Sequence, residues 1–138
     1  MSGTNQSHTA RGTFTVKTAP LPSDEATAAT SIGRYSLDKV YSGDLEAASA
    51  GEMLGAGSPA TGTAGYVAIE QVTGRLDGRS GSFALQHFGT MQAGQFEINV
   101  RVVPGSGSGE LEGIAGALTI VMKGGNHAYA LEYTLPGS

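Results

Sequence analysis

Glu70 and His87 are the two ionisable residues of this chain that lie within apolar, β-rich runs. Asp77-Gly78 separates those runs, and an Asp-Gly pair in this position is the strongest short-range signal for a β-hairpin with a type I′ turn. A two-residue turn places Glu70 opposite Leu85, which makes the carboxyl group and the imidazole diagonal neighbours on one face of the hairpin. A carboxyl group beside an imidazole suits general acid–base chemistry.

Two interpretations of this pair stay open. In the first, Glu70 is buried without a partner, its pKa is raised because burial disfavours the charged form, and it acts with His87 as acid and base. In the second, the two groups only satisfy each other inside the protein. Both depend on the turn register, because a three-residue loop through Arg79 pairs Glu70 with Gln86 and moves His87 to the other face.

The elements that must position this pair are about eight short β-strands joined by tight turns. The chain has 22 glycines in 138 residues and little helical patterning, which favours turns and barrel corners over helices. Consecutive antiparallel strands must stack as two sheets or close into a barrel, and we predict an all-β fold with a single antiparallel eight-stranded barrel. The predicted organisation is a disordered tail over residues 1–10 and one barrel domain over residues 11–138.

A second hairpin is predicted around Ser42-Gly43, with Lys39 facing Glu46 across the ladder as an ion pair that fixes register. The spacing from Ser36 to Lys39 matches the SxxK motif of serine acylases. That motif needs both residues on one helix face, whereas positions three apart on a strand point to opposite sides.

Composition excludes several classes of function. The absence of cysteine rules out disulfides and thiolate chemistry, and the three histidines lie on distant segments without metal-ligand spacing. A net charge of −4 argues against binding to nucleic acid, and no apolar run is long enough for a membrane helix. We therefore expect no cofactor, no metal, no nucleic acid and no membrane partner, and a cytoplasmic location because no signal segment is evident.

The glycine-rich run VVPGSGSGELEGIAG before the last strands, together with YSGDLEA, GYVAIEQVTGRLDGRSGSFALQH and YALEY, carries a family resemblance. Over roughly residues 10–135 the chain resembles a bacterial domain-of-unknown-function family of the allene-oxide-cyclase-like barrel superfamily. The resemblance implies an eight-stranded barrel with an apolar lumen, usually assembled as a homo-oligomer. Plant cyclases of this superfamily close a fatty-acid epoxide with a lumenal glutamate and have a pocket cysteine that this chain lacks, so their activity is not carried over.

Two functions follow as expectations. The first is a small-molecule barrel that binds an apolar ligand in its lumen, with cyclase or isomerase chemistry at Glu70 and His87. The second is a non-enzymatic structural or assembly module whose lumen is filled by side chains. An open cavity with the pair on its wall favours the first function, and a solidly packed lumen favours the second. The predicted ligand-binding residues are Tyr66, Phe83, Leu85 and Glu132.

Overall fold

The computed structural model describes residues 6–137 as nine β-strands and one short 3-10 turn at Pro59–Thr61. No helix in this part of the chain is long and apolar enough to cross a bilayer. The strands are β1 (Ser7–Leu21), β2 (Gly33–Gly43), β3 (Leu45–Ser58), β4 (Thr63–Leu76), β5 (Arg79–Gln92), β6 (Gln95–Val102), β7 (Ser108–Gly109), β8 (Ala115–Lys123) and β9 (Asn126–Thr134).

Eight of the strands close into an antiparallel barrel, as the sequence predicts. The order is β4-β3-β2-β1-β9-β8-β6-β5, and pairing of β4 with β5 completes the circle. The ninth strand, β7, is an addition that the sequence pattern did not indicate. It pairs with β5 at Ser82↔Ser108 and Gly81↔Gly109, beyond the point where β6 ends.

The predicted Asp77-Gly78 turn is confirmed. Both residues have positive φ, 50° and 83°, and Leu76 pairs with Arg79 across the turn. The same register pairs Ala68 with His87 and Glu70 with Leu85. The diagonal placement of Glu70 and His87 on the inner face therefore exists.

The predicted register of the second hairpin is wrong. Tyr41 pairs with Ala47 and Lys39 pairs with Ser49, not with Glu46. The cause lies at Asp44, whose N–H donates to the Arg11 carbonyl at 3.0 Å and whose carboxylate accepts the Arg11 N–H at 2.9 Å. These bonds fasten the connection to β1 and make it a wide corner instead of a tight turn.

The predicted tail also needs correction. Residues 7–10 are the start of β1 and pair with β9 from Ser7↔Thr134 onward. Residues 1–5 lie outside the described part of the chain. Pairing with β9 shows that the polar N-terminal segment forms part of the barrel wall, because its backbone groups have a strand edge to bind.

The lumen is packed at one end. Inward side chains from all around the barrel meet there, including Val72, Leu76, Phe83, Leu85, Leu131 and Tyr133. Leu111 and Ile114, from the segment between β7 and β8, are buried against this cluster and cover that end. The Asp77-Gly78 turn lies at the same end, where the Tyr133 hydroxyl donates to the Asp77 carboxylate.

Candidate functional site

Glu70 lies at the centre of a cluster of buried polar side chains. Its exposed fraction is 0%, and each carboxylate oxygen has two partners. Oε1 accepts hydrogen bonds from the Tyr41 hydroxyl at 2.6 Å and the Ser49 hydroxyl at 2.7 Å. Oε2 lies 2.9 Å from Lys39 Nζ and 2.5 Å from His87 Nε2. The carboxylate is therefore fully satisfied by groups from three other strands.

Strand alternation explains why these five side chains meet. Every second residue of a strand faces the lumen, and Lys39 and Tyr41 on β2, Ser49 on β3, Glu70 on β4 and His87 on β5 all occupy inward positions. These four strands are consecutive neighbours in the barrel. The corrected register of β2 against β3 brings Lys39 beside Ser49 and so within reach of Glu70.

The partners of Glu70 keep it ionised. Burial alone would raise the pKa of this carboxyl group, but the hydrogen bond from His87, the charge and hydrogen bond of Lys39 and the hydrogen bond from Tyr41 outweigh burial. Together they lower the pKa of Glu70 to about 2. Burial and the nearby Glu70 charge raise the pKa of Tyr41 far above its ordinary value and also raise the pKa of Tyr66. Both phenols stay protonated.

Lys39 is held between the carboxylate and two aromatic rings. Its Nζ lies 4.7 Å from the centroid of the Phe14 ring and 5.7 Å from that of the Tyr41 ring, which stabilises an ammonium group by cation–π attraction. Its side chain is 4% exposed. The only hydrogen bond it donates within residues 6–137 goes to Glu70, so two of its three N–H groups stay available.

His87 uses one ring nitrogen for Glu70 and leaves the other open. The contact at Nε2 fixes the tautomer that carries a proton on Nε2, so Nδ1 has its lone pair free in the neutral ring. Every side-chain nitrogen or oxygen of residues 6–137 that is shut off from solvent has a hydrogen-bond partner. Because Nδ1 has none in this part of the chain, it must be reachable from a cavity.

That cavity occupies the end of the barrel opposite the packed core. Its volume is about 810 Å³, and both Lys39 and His87 form part of its wall. The remaining wall is largely apolar and includes Phe14, Val16, Leu37, Ile98, Ile120 and Met122. A second recess of about 480 Å³ adjoins it and shares Thr18, Met53, Tyr66 and Phe96. The barrel is thus half filled and half open.

The structure brings some of the predicted site residues together and separates others. Tyr66 and His87 line the cavity, with their ring centroids 6.4 Å apart. Glu70 is not among the lining residues and lies behind Lys39 and His87.

The other three predicted ligand-binding residues lie elsewhere. Phe83 and Leu85 are buried in the packed core and are not among the residues that line this cavity. Glu132 is exposed on the outer surface, because it alternates with the inward Leu131 and Tyr133.

Sequence reasoning missed Lys39, Tyr41 and Ser49. The signal was present in β2, where Lys39 interrupts the apolar alternation of Leu37 and Tyr41, but the wrong hairpin register sent Lys39 toward Glu46. No group of three or more carboxylate or histidine side chains in residues 6–137 is arranged to hold a metal ion. The cluster pairs one carboxylate with cationic and hydroxyl partners, which suits proton transfer and not metal binding.

Comparison with known proteins gives a family and a solved relative. The family model described as a protein of unknown function (DUF3224) matches residues 10–133. A crystal structure of a protein with unknown function from this family, from Shewanella oneidensis MR-1, is 45% identical, covers 96% of this chain and 100% of that chain, and superposes with a TM-score of 0.86. No curated protein matches the chain. The chain belongs to the DUF3224 family of proteins of unknown function.

Proposed function

We propose that this protein binds a small, largely apolar molecule in the open half of its barrel and transfers a proton on it, as an isomerase or cyclase does. One observation carries the proposal: a histidine fixed by a buried carboxylate lines an apolar cavity of about 810 Å³. A volume of this size is typical of ligand pockets, in which apolar burial supplies affinity and a few polar groups fix orientation.

The roles within the pair differ from those considered at the outset. Glu70 has a pKa of about 2 and does not line the cavity, so we assign it the task of orienting His87 and holding the proton on Nε2. His87 Nδ1 is then the group that accepts and returns a proton. Glu70 is a positioning residue in this proposal, and His87 is the general base.

The experiment compares two valine variants on neighbouring strands. Val16 lines the cavity, whereas Val40 is exposed on the outer face, and the register places Val40 beside Thr15. We expect Val16→Trp to weaken binding of the fluorescent apolar probe N-phenylnaphthylamine, because the indole takes up part of the cavity. Val40→Trp should bind the probe as the unaltered protein does. Native mass spectrometry of protein from its own host would add the mass of any retained ligand.

A structural or assembly module is the second candidate. It is supported by the packed half of the lumen, where Val72, Phe83 and Leu85 are at most 1% exposed, and by the complete satisfaction of Glu70. Under this alternative the unaltered protein binds no apolar probe and carries no ligand. The probe fluorescence is then the same with the Val16→Trp and Val40→Trp proteins. That result would remove the proposal of a ligand pocket.

Two broader expectations also remain proposals. The closed eight-stranded barrel supports a relationship with the allene-oxide-cyclase-like superfamily at the level of fold. Self-association with a second copy is supported by an exposed apolar patch at Leu54, Val67, Ile69 and Phe88. The exposed Arg34–Glu52 ion pair borders it, so the rim offers both signs of charge to an identical partner. The same native mass spectrum reports the assembly. The cytoplasmic location stays a prediction from sequence.

A further inference from the structure

We infer that the pocket acts on an enolisable carbonyl compound, with the carbonyl oxygen bound by Lys39 and the adjacent C–H group facing His87 Nδ1. This inference rests on the proposed function and deepens it, because it names the class of substrate and gives Lys39 a role. The observations that carry it are the two free N–H groups of Lys39, the free Nδ1 of His87 and the sign of the charges around the cavity.

Lys39 and His87 are held side by side by one atom. Both bind Glu70 Oε2, at 2.9 Å and 2.5 Å, and both line the same cavity. A hydrogen-bond donor next to a base is the arrangement that enolisation requires, because negative charge develops on the carbonyl oxygen as the base removes the neighbouring proton. An apolar hydrocarbon has no oxygen for Lys39 to bind, and removal of the C–H proton beside an ether oxygen places no negative charge on that oxygen.

The charges lining the cavity favour a developing anion. The side chains on its wall that carry a full charge at neutral pH, Lys39 and Arg101, are both basic. No aspartate or glutamate lines the cavity, although the chain has 12 acidic residues against 8 lysines and arginines. The Lys39 side chain is only 4% exposed, and a preorganised positive charge that is little exposed to water stabilises an enolate and costs no reorganisation during the reaction.

The proposed step needs no other reactant. His87 Nδ1 takes the proton from the carbon next to the carbonyl group, and the C–H electron pair forms the C=C bond of the enolate. The carbonyl π pair moves to oxygen, where an N–H group of Lys39 holds it. Return of a proton to the same carbon exchanges the α-hydrogen with solvent hydrogen. In a β,γ-unsaturated carbonyl compound, return of the proton to the γ-carbon moves the double bond to the α,β position.

The test is hydrogen–deuterium exchange of small ketones in heavy water, followed by proton NMR. The probes are α-tetralone, phenylacetone and ionone, with tetralin as an apolar compound that has no carbonyl group. We expect the protein to speed loss of the α-proton signals above the buffer rate. Replacing the base by His87→Gln should slow exchange by about 10²–10⁴-fold, and Lys39→Met should slow it by about 10²–10³-fold.

Lys39→Gln covers the case in which Lys39→Met does not fold, because glutamine can still donate to Glu70 but has no charge; it should also slow exchange. Val40→Trp on the outer face of the same strand is the matched control and should leave the rate unchanged. If the ketones displace N-phenylnaphthylamine but their α-protons exchange no faster than in buffer, this inference is wrong and the proposal of a ligand pocket is still supported. Exchange that survives His87→Gln also overturns it. If no probe binds at all, both the pocket and the inference fail.

Discussion

Glu70 is a carboxylate buried away from water, so its negative charge must be compensated by groups inside the barrel. Two oxygens receive four partners, of which Lys39 supplies a full positive charge. A buried ion pair of this kind adds little net stability compared with apolar side chains, but removal of one member leaves an uncompensated charge and costs about 3–5 kcal/mol. The cluster therefore adds little net stability while it holds His87 in one orientation, which is expected of a functional site more than of a purely structural core.

The first prediction at this scale concerns acid stability. The pKa of Glu70 is about 2 in the folded protein against 4.5 ordinarily, so its contribution to stability is complete above about pH 4.5 and is lost as pH falls toward 2. By linkage that contribution is of the order of 3 kcal/mol. We expect Glu70→Gln to lower the free energy of unfolding at pH 7 and to flatten its decline between pH 4.5 and 2, as measured by urea titration at several pH values.

Glu52→Gln is the matched control for this measurement. Glu52 pairs with Arg34 at 2.8 Å, and the hydrogen bond from Arg34 lowers the pKa of Glu52. The pair is exposed to solvent, so water and salt screen it and its contribution to stability is small. A Glu70→Gln protein with the same stability and the same acid profile as the Glu52→Gln protein would contradict the role assigned to Glu70.

At the scale of the strands, the site depends on the close approach of β3 to β4 beside Glu70. Gly51 pairs directly with Glu70, and a Cβ atom at position 51 would lie 2.0 Å from the Ile69 carbonyl oxygen and 2.7 Å from the Glu70 Cα. Backbone atoms cannot yield to a side chain without displacement of the strand. Gly51 therefore sets the distance between the two strands that carry Ser49 and Glu70.

The second prediction follows from that contact. We expect Gly51→Ala to lower the free energy of unfolding by about 1–3 kcal/mol or more, because a methyl group is forced into a filled space. Gly55→Ala, on the same face of the same strand, is the control. Its Cβ would meet atoms no closer than 3.6 Å, so its stability should change little. Thermal unfolding of both variants checks the difference, and equal destabilisation would contradict the steric explanation.

The strand scale also shows what local sequence can and cannot predict. The Asp77-Gly78 turn was predictable because its positive φ values are a property of those two residues alone. The corner at Gly43 and Asp44 was not, because its geometry depends on Arg11, a residue 33 positions away. Because the register of this hairpin was predicted wrongly, Lys39 was not predicted to belong to the site. Glu70 and His87 were found because they share the hairpin whose register is local.

At the scale of the whole molecule, the division into a packed half and an open half decides between ligand binding and a structural role. The apolar alternation of β6 predicts burial along its whole length, yet Phe96 is 58% and Ile98 is 39% exposed, whereas Val100 is 3% exposed. Alternation identifies the inward face of a strand but not whether anything fills the lumen at that level. The cavity is therefore a property of the assembled barrel.

The last prediction concerns the place where the barrel closes least firmly. In the described chain β6 and β8 pair only at Val100↔Leu118 and Arg101↔Ala117, and residues from both strands line the cavity, whereas β4 and β5 pair along their whole length. Backbone amides without a partner strand exchange with solvent fastest. Each strand stays paired on its other side, β6 with β5 and β8 with β9. Amide exchange followed by NMR should therefore be faster at the N–H groups of residues 95–99 and 119–122 that point into this seam than along β4 and β5.

Ligand binding should change exchange at this seam. A molecule in the cavity contacts both strands and stabilises the closed arrangement over open ones, because it binds the folded barrel and not the separated strands. Saturation with N-phenylnaphthylamine should therefore slow exchange at the seam-facing amides of residues 95–99 and 119–122 more than at the β4 and β5 amides remote from the cavity, beside the Asp77-Gly78 turn. In the Val16→Trp protein the same probe concentration should have a smaller effect. Uniform exchange around the barrel, or slowing of the same size in the Val16→Trp protein, would show that the seam does not border the binding site.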